Sequence, residues 1–426
     1  MPAQWTAKSL SIAPSPALAV GIVLVALLAS ASALAAATFT VTRPDDQLDT
    51  LPGDGACIAQ NGGGCSLRAA VQEANALFGA DGIYLPPGTY SLTRAGAGEN
   101  LAATGDLDIA SAITLVGTGW SVTTIEMTGY IDRIFDVQGF SSLTLADVTI
   151  SGGAVAGIGG GILVEAGGTL TLARSRIRGC LSNLGGGLGV VGGTAIVEDS
   201  EIAHCFVFAD LPTWYGEGPG VSIGEQGNVV IRRSSMHDNL TGSGTLGSIR
   251  SVESTLWIES SSIIDNDNGN PYIGGTNSDV TIISSTISSV SLDGWGPPTS
   301  SLTLGCSIVR HCYYTQGATY TSYGYNAFSG GAPCVGAFDV DNDWNLQPLM
   351  APPGKFAARV PNKYSAAIDG GHAFVCTAND QWLQPRPLDG DGDGIAIVDV
   401  GAVEAALIFY DGFESNNTSA WSTPVP

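Results

Sequence analysis

The acids and bases able to do chemistry are few, and they recur at matched places along the chain. Asp238 and Asp265 hold the tenth position of two successive eleven-residue segments, VVIRRSSMHDN (Val229–Asn239) and LWIESSSIIDN (Leu256–Asn266). His204 holds it in the segment before, AIVEDSEIAHC (Ala195–Cys205), and His237 stands beside Asp238. If these segments stack, His204, Asp238 and Asp265 form an acid/base column of the kind that cleaves sugar linkages. The competing reading is a row of hydrated corner residues. A second constellation is Asp389-Gly-Asp391-Gly-Asp393-Gly394. Alternate carboxylates with Gly in sixth place open a Ca²⁺ loop. Its twelfth position is Val400 rather than Glu, so it is no EF-hand, and a solvated acidic turn is the alternative. Asp339, Asp341 and Asp343 repeat the alternation more weakly. Trp214, Tyr215 and Trp295 either offer a sugar-stacking platform or pin a long loop. No nucleophile elbow, phosphate loop or metalloprotease motif occurs.

The elements that must carry these residues are written repeatedly. The same unit appears as LTLADVTISGG (Leu143–Gly153), LTLARSRIRGC (Leu170–Cys180), VTIISSTISSV (Val280–Val290) and LTLGCSIVRHC (Leu302–Cys312). A period of roughly 20–30 residues with one short apolar alternation per unit marks a solenoid. Apolar first, third and eighth positions fit a strand, a corner and a second short strand. The fold class is therefore all-β, a parallel β-helix with one coil per repeat. Charge supports the stacking. The fifth position runs Asp147, Arg174, Asp199, Arg233, the fourth runs Glu198, Arg232, Glu259, and the seventh sets Arg176 beside Glu201. Coils about 4.8 Å apart turn these into columns of alternating sign, a self-neutralising wall. Asn239 and Asn266 share a column suited to an amide ladder.

The chain has 426 residues, 58 of them Gly, a 44% apolar content and a formal charge of −23. The apolar share excludes a disordered chain. The acidity excludes counterion-driven nucleic-acid binding, leaving glycans, cations or other surface proteins as partners. At the N-terminus Lys8, the apolar run Ala17–Ala29 and the small residues Ser32–Ala37 read as a signal peptide over 1–36, with an uncleaved anchor as the alternative. No later stretch is long and apolar enough to span a bilayer as a helix, so the mature chain has no expected transmembrane span. Eight Cys in an exported chain imply disulfides. Cys57 and Cys65 close a small loop. Cys312 and Cys334 close the loop after the last repeat, and Cys306 is left for Cys376. Cys180 and Cys205 hold one position in consecutive coils, as either a bridge or a buried thiol ladder.

Ahead of the repeats, GGCSLRAAVQEANA (Gly63–Ala76) predicts a short amphipathic helix with Ser66 as N-cap and Leu67, Ala70, Val71 and Ala74 on its apolar face. It is the expected cap of the solenoid's open end. Followed by GADGIYLPPGTYSLT (Gly79–Thr93), it resembles the CSLREA-type N-terminal region of exported bacterial right-handed β-helix proteins, with Ala69 where that family often has Glu. The Gly-Gly-x-Ile and x-x-Asn pairings weakly resemble polymorphic outer membrane protein repeats. After Cys312, TSYGYNAF, KYSAAIDGG, CTANDQWLQPRPLDGDGDG and VDVGAVE resemble the choice-of-anchor Q region that accompanies such β-helices, with Trp382-Leu383 where Arg-Gly is usual. The resemblance implies a right-handed helix, export, and the extracellular space or outer-membrane surface of a Gram-negative bacterium. The expected division is 1–36 signal peptide, 37–105 cap and first coils, 106–312 repeats, 313–405 irregular C-terminal region and 406–426 tail. The expected role is a non-catalytic structural or adhesive protein. The alternative is a carbohydrate-active enzyme, a polysaccharide lyase or glycoside hydrolase.

Overall fold

The computed structural model describes residues 36–405, apart from 130–131, 209–216, 243–246, 267–272, 294–298, 316, 330–333, 335, 337 and 341–344. The signal segment, the 406–426 tail, Trp214, Tyr215, Trp295, Asp341 and Asp343 thus lie outside the described residues.

Alternation sets the strands. In Thr169–Ala173, Leu170 and Leu172 are fully buried while Thr169 and Thr171 lie on the outer face. A strand that buries one face every second residue gains most when the next coil repeats the same register. Leu143, Leu170, Ala195, Val229, Leu256, Val280 and Leu302 are direct neighbours in one parallel ladder. These are the first positions of the repeat, so the ungapped alignment and the hydrogen-bonded register coincide. The ladder belongs to an eleven-stranded parallel sheet, beside a seventeen-stranded sheet and a three-stranded one formed by Leu181–Ser182, Phe206–Val207 and Leu240–Thr241. Strands that return in parallel through such crossovers wind right-handed, and the molecule is a right-handed parallel β-helix.

The stacking outruns the repeat region. Thr319–Ser322 pairs with Ser301–Gly305, and Ala327–Phe328 with Ile308–Tyr314, one coil past Cys312. That coil is short and places Asn326 where earlier coils have Ser, so the eleven-residue pattern does not reveal it.

Each coil turns at the fifth position through left-handed backbone: φ is 60° at Asp147, 47° at Arg174 and Asp199, and 46° at Arg233. Such a conformation costs a non-glycine residue about 1–2 kcal/mol, and hydrogen bonds from the next position offset it. From the second repeat on a serine occupies the sixth position, where the first has Val148, and each Oγ accepts the N–H of its counterpart in the preceding coil. Ser175, Ser200, Ser234, Ser261, Ser285 and Ser307 are joined in this way at 3.1–3.2 Å. Asn239 and Asn266 form the amide ladder, with Asn239 Nδ2 donating to Asn266 Oδ1 at 2.8 Å.

The charge columns are ion pairs. Arg174 reaches Asp147 at 2.6 Å and Arg233 reaches Asp199 at 2.7 Å. The fourth-position column departs from expectation. Glu198 is held by Arg233, not Arg232, because the left-handed corner lets Arg233 reach both neighbouring acids.

Helix α1 (Leu67–Ala76) closes the first coils. Ser66 Oγ accepts the Ala69 N–H, and Leu67, Ala70, Val71 and Ala74 are buried. The remaining motif residues serve the backbone. Arg68, fully buried, pairs with Asp46 at 2.5 Å and donates to the carbonyls of Ala102, Gly105 and Asp106. Glu73 accepts from Gly53 and Gly55, and Asn75 bridges Asp108 and Ala110. Disulfides join Cys57 to Cys65, Cys306 to Cys376 and Cys312 to Cys334, a pattern suited to an oxidising compartment. Cys180 and Cys205 are not bridged but remain buried free thiols. In-register stacking holds their β-carbons parallel at the coil spacing, wider than a disulfide takes. No helix among the described residues is long and apolar enough to cross a membrane.

Candidate functional site

The irregular C-terminal region folds back across the outer wall of the later coils. Ala402 N donates to Thr286 Oγ1 at 3.0 Å, Ser262 Oγ to Gln381 Oε1 at 2.6 Å, and Thr377 N to Ser284 Oγ at 2.8 Å. Its own acidic residues hold it in shape. The Asp380 carboxylate accepts from Trp382, Gln384 and Glu404 backbone, and that of Asp399 from Asp369 and Ala405. Buried Arg386 donates to the Asp399 and Gly401 carbonyls. Asp380 and Asp399 are thus structural carboxylates and Arg386 a structural guanidinium.

Where this region meets the wall it leaves a groove of about 360 Å³. The floor is the corner column Asp147, Arg174, Asp199, Arg233, one residue per coil, and the sides are Trp120, Lys355, Phe356 and Trp382. Trp120 and Phe356 rings sit 5.2 Å apart, and the Arg176 guanidinium lies 4.3 Å from the Trp120 ring centre. Trp382 Nε1 donates to the Phe356 carbonyl at 3.0 Å and Lys355 Nζ to the Trp382 carbonyl at 2.7 Å, so the aromatic side is pre-set. Aromatic faces beside cations and paired acids suit a hydroxylated, ring-shaped ligand: faces stack on apolar ring surfaces, and fixed polar groups select orientation.

From the groove a polar chain runs along the wall. Arg176 Nε lies 2.5 Å from Glu201 Oε1, an ion pair without hydrogen-bond alignment. Glu201 Oε2 is 3.3 Å from His237 Nε2, and His237 Nδ1 is 2.7 Å from Asp238 Oδ2. Burial opposes ionisation of Glu201, but His237 and Arg176 outweigh it and hold the carboxyl below its usual range. Burial likewise opposes charge on His237, yet Glu201 and Asp238 outweigh it and raise the imidazole above its ordinary value.

The sequence column is thereby split. His204 and Asp238 come together with His237, their ligand-capable atoms all within 4.8 Å of one another. Asp265 leaves the set, because Arg359 from the C-terminal region grips both its oxygens at 2.8 and 2.9 Å. The Asp389 loop is also rearranged. Asp389 and Asp391 gather with Asp369 within the same 4.8 Å, while Asp393 turns onto the Ile395 N–H at 2.7 Å. Asp389 itself accepts from Gly392 and Gly394. Asp339 accepts from Asn326, Gly336 and Ser322 and so braces a turn.

A third acidic group was not foreseen. Asp106, Asp108 and Asp136 are buried beneath the first coils, and Asp108 pairs directly across from Asp136. Arg133 Nη1 reaches Asp106 at 3.1 Å and Asp136 at 2.8 Å. Burial, reinforced by Asp132 and Asp108, pushes the Asp106 carboxyl up to about 8. Burial raises Asp108 and Asp136 to about 6 each. The DLD spacing at 106–108 was the available signal, but on a strand it reads equally as an outward acidic face.

No family model matches the chain, and no curated protein matches it in sequence. The CSLREA-type and choice-of-anchor Q resemblance rests on the residues alone. Among solved structures, pectate lyase Pel9A aligns over 87% of this chain and 98% of its own, at 14% identity and TM-score 0.40. The A-module of the mannuronan C-5 epimerase AlgE6 of Azotobacter vinelandii aligns over 65% and 91%, at 16% identity and TM-score 0.32. ORF18 of Geobacillus virus E2 aligns over 84% and 68%, at 14% identity and TM-score 0.28. Similarity at this level adds nothing to what the strand register already establishes.

Proposed function

We propose that this β-helix is an exported surface protein that binds glycans without turning them over, through the groove between the corner column and the C-terminal region. One observation carries the reading. The groove sets Trp120, Phe356 and Trp382 over a floor whose acids, Asp147 and Asp199, are each committed to an arginine. A lyase or hydrolase needs an acid and a base converging on one bond; paired carboxylates beside aromatic faces favour adhesion. The outer-membrane surface of a Gram-negative cell is the proposed location, and Ca²⁺ at the Asp389–Asp391 turn is the proposed cofactor.

The test is glycan-array binding with and without Ca²⁺, scoring product release in the same wells. Binding without release is expected, and Trp382→Ala should weaken it roughly tenfold, since a central aromatic contributes more than ~1 kcal/mol to an interface. Unsaturated or reducing ends in the supernatant would make the protein an enzyme instead. Loss of binding in chelator, restored by Ca²⁺ but not in Asp389→Asn, supports the metal.

A further inference from the structure

We propose that His204, His237 and Asp238 form a binding site for a Zn²⁺-class divalent metal on the outer wall of the β-helix. The argument starts from the corner. His204 has φ of 55° and Asp238 of 53°, so both sit on left-handed backbone at stacked turns. The consecutive side chains of His237 and Asp238 meet, with Nδ1 2.7 Å from Asp238 Oδ2. His237, at the end of Ser235–His237, sets its ring edge-on to that of His204 at 5.8 Å between centres. Two imidazoles and a carboxylate therefore converge, with ligand-capable atoms within 4.8 Å of one another. Zn²⁺ binds nitrogen and oxygen ligands at ~2.0–2.2 Å, so a modest swing of the exposed His204 ring closes the set.

The neighbours of His237 orient it for this role. A metal-binding histidine donates its other ring N–H to a carboxylate, which fixes the tautomer and raises ligand basicity. Glu201 occupies that place at Nε2, and Arg176 holds Glu201 from the far side. Nδ1 then faces Asp238. On binding, Nδ1 releases its proton to solvent and gives its lone pair to the metal. The donor set selects the ion: imidazoles suit Zn²⁺, Cu²⁺ or Ni²⁺, whereas Ca²⁺ takes six or more oxygens. Three protein ligands leave a coordination position for water or a ligand atom. None of the three ligands lines the groove, and the test reads metal uptake rather than glycan binding.

The experiment is calorimetric titration of Zn²⁺ into the untagged, disulfide-bonded protein, with Co²⁺ absorption as a second readout. One Zn²⁺ per chain is expected, with a tetrahedral Co²⁺ spectrum. His204→Asn and Asp238→Asn keep side chains that tolerate left-handed backbone, and each should weaken binding at least tenfold without changing the melting curve. Glu201→Gln should weaken it by roughly 10–100-fold, as loss of an orienting partner does, while His311→Ala, on the strand Ile308–Tyr314 of the last repeat and outside the metal set, leaves it unchanged. Absence of Zn²⁺ uptake would overturn the proposal. So would binding that survives both Asn variants, which would place the metal elsewhere, or binding abolished by His311→Ala.

Discussion

Burial and neighbouring acids push the Asp106 carboxyl up to about 8, and this has a measurable sign. Its folded value of about 8, and those of about 6 for Asp108 and Asp136, lie above the ordinary carboxyl range. The folded state thus binds more protons than the unfolded one between about pH 4 and 8, and stability falls as pH rises through that window. Thermal melts should show a higher melting temperature at pH 5 than at pH 8, and Asp106→Asn should narrow the difference. A difference unchanged in the variant would mean that the cluster does not set the slope. Single residues were the least legible scale. The sequence placed His204 beside Asp238 but could not foresee Arg359 capturing Asp265, because that arginine arrives from a segment far along the chain. Trp382 did leave a trace, as a departure from the anchor-like pattern. Trp120 and Phe356 left none, since lone aromatics are common in every context.

Strands and corners were far more legible, because one physical rule writes them repeatedly. Apolar residues at fixed places in each unit must meet in the core, so the register could be read before any coordinate. The serine ladder stood in the same alignment at the sixth position and carried no such signal: its work is with backbone N–H groups, not with apolar periodicity. Its contribution can be measured. Ser234→Ala leaves the buried Ser200 N–H without its acceptor, which should cost about 1–3 kcal/mol. Chemical denaturation against Ser121→Ala, a control on the loop beside Trp120, reads this out; a loss no larger than the control's would show that the ladder is decorative. Arg232 and Arg233 illustrate the limit of column reasoning, since the residue on the left-handed corner, not the one on the strand, reaches Glu198.

At the scale of the whole molecule, the candidate groove exists because two distant segments meet, the coil wall and the C-terminal region, with Cys306–Cys376 fastening one to the other. Replacing both cysteines by serine should cost about 2–4 kcal/mol. Limited proteolysis should then cut within residues 345–405 while the coils stay protected, and glycan binding should fall with it. Intact C-terminal fragments in both proteins would show that the polar contacts alone suffice. The floor of that groove has a further consequence. Asp147, Arg174, Asp199 and Arg233 are contributed one per coil, so the floor is graduated in steps of about 4.8 Å. Because stacked coils repeat one register, inserting or deleting a whole coil there would lengthen or shorten the floor by one step, and would shift Trp120 relative to Phe356, which the C-terminal region carries from its anchorage on the later coils. The wall is a ruler, and the length of ligand it measures is set by a count of coils.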